Sequence, residues 1–213
     1  MATLAELLAS SLAALKQVQQ SGDFTIVKSG ELSPTHLKRL LANHFLMPVI
    51  KGWYIVTDPR AVPGDSTAWY ASFWNFILRY ATERYGKEWC LSAEQSLAIY
   101  SGSTTVPKQV LIRSPKGNNN SLELLPPTSL FNLEAALPSR IDTDNPYRLN
   151  LYPLAEAIIA ATPAIYKSDA TTMRTALPLV RDSSEILKIL VDTGQTVRAG
   201  RVSGAFRNIG RKD

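Results

Sequence analysis

Residues 33–56 read SPTHLKRLLANHFLMPVIKGWYIV, and the fold turns on this stretch. Ser33 is a side chain that can accept from the free N–H groups of a first helical turn. Pro34 suits the first helical position, where no donor is needed. Leu37, Leu40 and Leu41 then form an inward stripe, which leaves Thr35, His36, Lys38, Arg39 and Asn43 mostly on the opposite side. Two short apolar runs follow, Leu46 to Ile50 and Trp53 to Val56, joined at Lys51-Gly52. Gly at that joint supplies the positive φ of a tight hairpin. Pro48 cannot donate to a ladder, so its strand belongs at a sheet edge. Successive strand residues point to opposite faces, which places one of Trp53 and Tyr54 inward. The expectation is Trp53, packed against the first helix.

Upstream, Leu4, Leu7, Leu8, Leu12, Leu15 and Val18 recur at three- and four-residue spacing, an amphipathic helix over 3–20. Ser21-Gly22-Asp23 breaks it, and FTIVK at 24–28 is a short extended segment ending in Lys28. The order helix, short strand, helix, hairpin is that of a winged helix. Downstream, DPRAVPGD at 58–65 carries two prolines and a glycine and is the best domain boundary. Ser66 then caps a helix whose Trp69, Phe73, Phe76, Ile77 and Tyr80 share a face. Ser92 and Gln95 have capping-box spacing. QVLIRS (109–114) and SLELLP (121–126) read as strands joined by the PKGNNN loop. YPLAEAIIAAT, DATTMRTALPLV and SSEILKILVDTG read as three helices. The expected fold is mixed α+β: a winged helix-turn-helix domain over 1–60, then an α/β domain over 65–213 with a small sheet and several helices.

Composition narrows the function classes. The 213 residues are 45% hydrophobic and 19% charged, enough apolar side chains for a real core. A formal net charge of +5 and a pI near 9.3 permit a polyanionic partner without demanding one. The single cysteine, Cys90, cannot form an internal disulfide and reads as a buried small apolar residue, which fits a reducing, cytoplasmic setting. No apolar run approaches the ~18 residues of a membrane span, so no membrane partner is expected.

Residues for catalysis are sparse. His36 and His44 are the only histidines and make no metal spacing with Cys90. His36 reads as a solvent-facing helix residue and His44 as a helix-end residue. SPKGNNNS lacks the Gly-Lys-Ser/Thr of a Walker loop, and GRVSGAFRNIGR lacks the strand context of a dinucleotide fingerprint. Glu83, Glu88, Glu94 and Glu123 form no convincing pair. The expectation is no catalytic residue, no metal and no cofactor. The tail carries Arg198, Arg201, Arg207, Arg211 and Lys212 without an acid. Its stripe of Val197, Val202, Phe206 and Ile209 belongs either to a second basic surface or to a helix that packs on something beyond this chain. The abrupt stop at GRKD reads as a cut from a longer protein.

LSPTHLKRLLANHFLMPVIKGWYIV resembles the winged helix-turn-helix of AbiEi-type antitoxins, with its capped, paired-leucine helix running into a glycine-turned hairpin that carries a Tyr. VIKGWYIVTDP, GDSTAWYASFWNFILRYATERYGKEWCLSAEQSLAIYSG, VPKQVLIRSPKGNNN and AGRVSGAFRNIGR resemble the region that precedes the catalytic domain in a group of bacterial Fic-family (cell filamentation) proteins. That family transfers AMP from ATP to hydroxyl side chains through a His-Pro-Phe stretch and a Gly-rich Asn-Gly-Arg loop. Neither histidine here precedes a proline, so no catalytic role carries over. The resemblance implies an AbiEi-like second domain and a non-enzymatic role in transcriptional regulation or a toxin–antitoxin pair, with double-stranded DNA as partner. Lys28, Thr35, His36, Lys38, Arg39, Asn43 and Lys51 are the expected DNA-binding residues: the helix in the major groove, the lysines on phosphates. The alternative is a regulatory or target-recognition region of a Fic-family AMP-transferring protein, acting through contacts with a Fic domain or a toxin. A homodimer is compatible with either.

Overall fold

The leucine stripe near the N-terminus forms helix α1 (Leu4–Gln20) of the computed structural model, which describes residues 3–20, 25–62 and 64–211. The break read at 21–23, together with Phe24 and Lys212, lies outside the described residues. Next come β1 (Ile26–Lys28), a 3-10 turn at Ser29–Glu31, α2 (Pro34–Ala42), β2 (Leu46–Ile50) and β3 (Trp53–Val56). The architecture is mixed α+β. The chain divides into two compact units, one of residues 1–80 with 123–129, the other of 81–122 with 130–213. The proline- and glycine-bearing stretch 58–65 lies within the first unit, and the division falls inside α3 (Thr67–Tyr85).

In the first unit the three strands form an antiparallel sheet in the order β1-β3-β2. Pro48 therefore sits on an edge strand, where its missing N–H breaks no central ladder. The register shifts between Pro48 and Ile50. Gly52 takes φ 83° at the hairpin turn, a backbone conformation that a side chain would strain. The faces of β3 divide the core. Tyr54 and Val56 pack on a cluster of Leu15, Val27, Leu32, Leu40 and Leu46, between α1 and α2. Trp53 points the other way, edge-on to Phe76 (5.7 Å) and Tyr80 (6.1 Å) of α3. This corrects the expectation that Trp53 packs on the first helix. Alternation shows that the two aromatics part company, but only the aromatic face of α3, with Trp69, Phe73 and Phe76 buried, decides which goes where. Trp69 Nε1 also donates to Thr128 Oγ1 (3.0 Å), which ties the 123–129 turn to this unit.

The second unit contains a four-stranded sheet in the order β4-β5-β7-β6: β4 (Cys90–Leu91), β5 (Gln109–Ser114), β6 (Asn120–Glu123) and β7 (Ser129–Glu134). The strand read at 121–126 starts one residue earlier and ends at Glu123. Gly117, in the loop between β5 and β6, lies so close to the Leu133 backbone that a Cβ would clash at 2.4 Å. Beside it Lys116 pairs with Glu88, so this loop is a packed turn. Helices α4 (Ala93–Tyr100), α5 (Leu154–Ala160), α6 (Ile165–Ser168), α7 (Ala170–Ala176), α8 (Ser183–Thr193) and α9 (Thr196–Asn208) complete the unit. Ser92 Oγ accepts from Gln95 N–H at the start of α4, while the Gln95 side chain reaches across to the Gln109 carbonyl and Leu111 N–H. Of the tail's apolar stripe, Val202 and Phe206 of α9 are buried in this unit's own core with Ile158, Met173, Ile186 and Leu190. No helix among the described residues is long and apolar enough to cross a membrane.

Candidate nucleic-acid interface

The candidate surface is built on α2 and the β2–β3 hairpin. Helix α2 forms where the sequence places it: Ser33 Oγ accepts from His36 N–H (3.3 Å), and Pro34 occupies the first turn. Leu40 is fully buried, and Leu37 and Leu41 pack on the same cluster. The opposite side of the helix is not one surface but two.

One edge faces α1. Ser11, fully buried, shares a 3.0 Å hydrogen bond with His36 Nδ1. Arg39 Nη1 donates to the same Ser11 Oγ (2.8 Å) and to the Leu7 carbonyl (2.9 Å). His36 and Arg39, one helical turn apart, are therefore partly buried and held in the α1–α2 junction, which corrects the reading of both as solvent-facing. The physical reason is Ser11. It occupies the inward stripe of α1 one turn from Leu7 and from Leu15. A small hydroxyl there lets α2 approach and gives two polar side chains a common partner. Ser11 itself escaped the sequence reading; a lone polar residue in register with a leucine stripe is the signal that finds it.

The other edge is open. Thr35 and Lys38 are exposed and, with exposed Ala42, follow the i, i+3, i+7 spacing of one helical stripe. The Lys38 side chain has no partner among the described residues. Asn43 ends the helix: its Nδ2 donates to the Arg39 carbonyl (2.8 Å), so its amide serves as a C-terminal cap. His44 follows with φ 59°, its carbonyl accepting from Thr57 Oγ1 (2.7 Å).

At the hairpin tip the fold brings Lys28 and Lys51 together. Lys28 is the register partner of Trp53, and Ser29 N–H donates to the Gly52 carbonyl (3.0 Å), so both lysines flank one short stretch of ladder. Lys28 Nζ lies over the Trp53 ring at 5.4 Å, and Lys51 is exposed at the turn. No protein-family model matches this chain, and no curated protein matches it. Of the seven expected contact residues, Thr35, Lys38 and Lys51 are exposed with no side-chain partner among the described residues, Lys28 stands on an aromatic ring, Asn43 caps, and His36 and Arg39 are partly buried in the α1–α2 junction.

No group of three metal-binding side chains occurs among the described residues. Cys90 is buried, and burial pushes its thiol up to about 12, far from the thiolate range that nucleophilic chemistry needs.

Proposed function

We propose that the first unit is a winged helix-turn-helix that binds double-stranded DNA, and that the chain acts as a non-enzymatic transcriptional regulator or antitoxin-like module. The observation that carries this reading is the open Thr35–Lys38–Ala42 stripe of α2 on the same unit as a hairpin tipped by Lys51, with Lys28 at the end of β1 beside that hairpin. The stripe is narrow and carries short side chains that can approach base edges, with Lys38 placed for a phosphate. The hairpin lysines add backbone contacts, which position the unit without reading sequence. The test is binding to the DNA upstream of the protein's own gene, against scrambled DNA, at two salt concentrations. The reading requires preference for the upstream DNA and a steep loss of affinity with salt. Equal affinity for scrambled DNA removes it.

A second reading, contact with a protein partner, is favoured by one observation in the other unit. Leu187 of α8, 63% exposed, lines a groove of about 320 Å³ with Ile186, Leu190, Val202 and Phe206, and Val191 of α8 and Val197 of α9 are 69% and 83% exposed. Arg207 stands at its rim, and no carboxylate is in its lining. The complementary partner is an apolar helix flanked by acids, as a Fic domain or a toxin would have to present. Leu187→Asp combined with Val191→Asp then abolishes co-purification with the product of the adjacent gene and leaves DNA affinity unchanged. Retained co-purification excludes this groove.

A further inference from the structure

The second unit contains a cleft of about 410 Å³ that the DNA reading does not use. Five parts of the unit meet there: Ser92 and Glu94 at the start of α4, Arg113 of β5, Tyr152 just before α5, Thr162 just after it, and Arg198 of α9. Tyr152 is fixed by its backbone, whose N–H donates to Ser96 Oγ (3.1 Å) and whose carbonyl accepts from Tyr100 Oη (2.8 Å). The Arg113 guanidinium lies over the Tyr152 ring at 5.7 Å. Its Nη2 donates to the Ala136 carbonyl (3.2 Å), and its Nε is buried with no hydrogen-bond partner among the described residues.

The charges in this cleft are left unbalanced. Arg113 and Arg198 are both partly buried, and neither forms an ion pair among the described residues. The Arg198 side chain makes no hydrogen bond among them either. Glu94, also partly buried, forms no ion pair among the described residues; its carboxylate accepts from Thr162 N–H (2.8 Å). Burial raises the Glu94 pKa, but hydrogen bonds from Thr162, Ser92 and its own backbone outweigh it, so the group stays ionised at neutral pH. The remaining carboxylate near Tyr152, Glu156, is taken by the N–H and hydroxyl of Ser139. Partly buried charges of both signs that line one cleft without pairing are costly unless something neutralises each. A volume of this size suits a small organic molecule.

We propose that this cleft binds a small zwitterion of the α-amino acid class, with its carboxylate between Arg113 and Arg198 and its ammonium on Glu94. A simple anion satisfies the arginines but meets the Glu94 carboxylate unfavourably. A ligand with both charges satisfies all three groups. Arg113 supplies a planar donor already oriented by the Tyr152 ring and the Ala136 carbonyl, the arrangement that favours carboxylate recognition.

The experiment is calorimetric titration of the full chain with the standard amino acids, with their des-amino carboxylates and with inorganic phosphate. The expected result is saturable binding of at least one amino acid, with its des-amino counterpart about tenfold or more weaker. Arg198→Ala should weaken that binding by about tenfold or more with little change in thermal stability, because its side chain makes no hydrogen bond or ion pair among the described residues. Glu94→Gln should remove the preference for the amino group. No saturable heat from any amino acid up to about 10 mM overturns the proposal. So does equal binding of the des-amino carboxylate or of phosphate, which would mark a plain anion site, and so does binding that Arg198→Ala leaves unchanged.

Discussion

Arg39 and Arg198 are both partly buried arginines on helices, yet they end in opposite circumstances. In the first unit Arg39 donates to Leu7 and Ser11 of α1 and serves the junction of two helices. In the second unit Arg198 borders a cleft, and its side chain makes no hydrogen bond among the described residues. The residue type is the same and the helical positions differ, Arg39 in the last turn of α2 and Arg198 in the first turn of α9; what separates their fates is whether a neighbouring element offers an acceptor. Where one is offered, the charge becomes structural and leaves the surface available for a ligand. Where none is offered, the donors are left to solvent. This contrast separates the expected DNA contacts into two groups and directs attention to a cleft that the sequence did not mark.

The largest expected effect concerns titratable groups that burial perturbs in the second unit. Burial raises the Cys90 thiol from an ordinary 9.0 to about 12, so the unfolded chain ionises first as pH rises. Above about pH 9 the unfolded state holds fewer protons than the native one, and stability falls by ~1.4 kcal/mol for each pH unit. Burial raises Tyr152 as well, and raises Tyr100 together with its hydrogen bond to Asp142; both add a decline of the same sign above about pH 10. Urea unfolding between about pH 8 and 11 measures the slope. Between about pH 9 and 10 the slope should flatten in Cys90→Ala, and an unchanged slope there would separate it from Cys90.

Next in size is the direct comparison of the two arginines. Arg39→Ala removes two hydrogen bonds, to the hydroxyl of fully buried Ser11 and to the carbonyl of partly buried Leu7, and should cost about 1–3 kcal/mol. Arg198→Ala should stay within about 0.5 kcal/mol. Equal effects in denaturant titrations would erase the distinction. A smaller change tests the hub of the α1–α2 junction: Ser11→Ala should cost about 1 kcal/mol, and a double-mutant cycle with Arg39→Ala should show that the two losses overlap rather than add. The smallest effect on stability is expected for Lys38→Ala, within about 0.5 kcal/mol. If the open edge of α2 meets a phosphate, that same variant lowers the slope of log affinity against log salt by about 1. Arg39→Lys, which keeps the charge but not the planar donor, should leave that slope unchanged.

Local chemistry made much of the chain legible. Ser33-Pro34 starts α2, Lys51-Gly52 turns the hairpin, Ser92 caps α4, and Pro48 lies on an edge strand. Each follows from donors, acceptors and φ values within a few residues. Alternation likewise showed that Trp53 and Tyr54 part company. What stayed hidden depended on partners distant in sequence. Trp53 turns toward Phe76 and Tyr80, more than twenty residues on. His36 and Arg39 turn toward Ser11, at separations of 25 and 28 residues. The cleft residues Arg113, Tyr152 and Arg198 share no motif, because each comes from a different element.

The sequence by itself determined the helices, the hairpin and the apolar faces, since these depend on periodicity and on backbone chemistry near each residue. Only the tertiary structure decided which polar side chains are internal and which are open. A side chain that can donate hydrogen bonds goes wherever folding brings an acceptor within about 3 Å, and that placement is set by the packing of whole elements rather than by the residue's own neighbours in the chain.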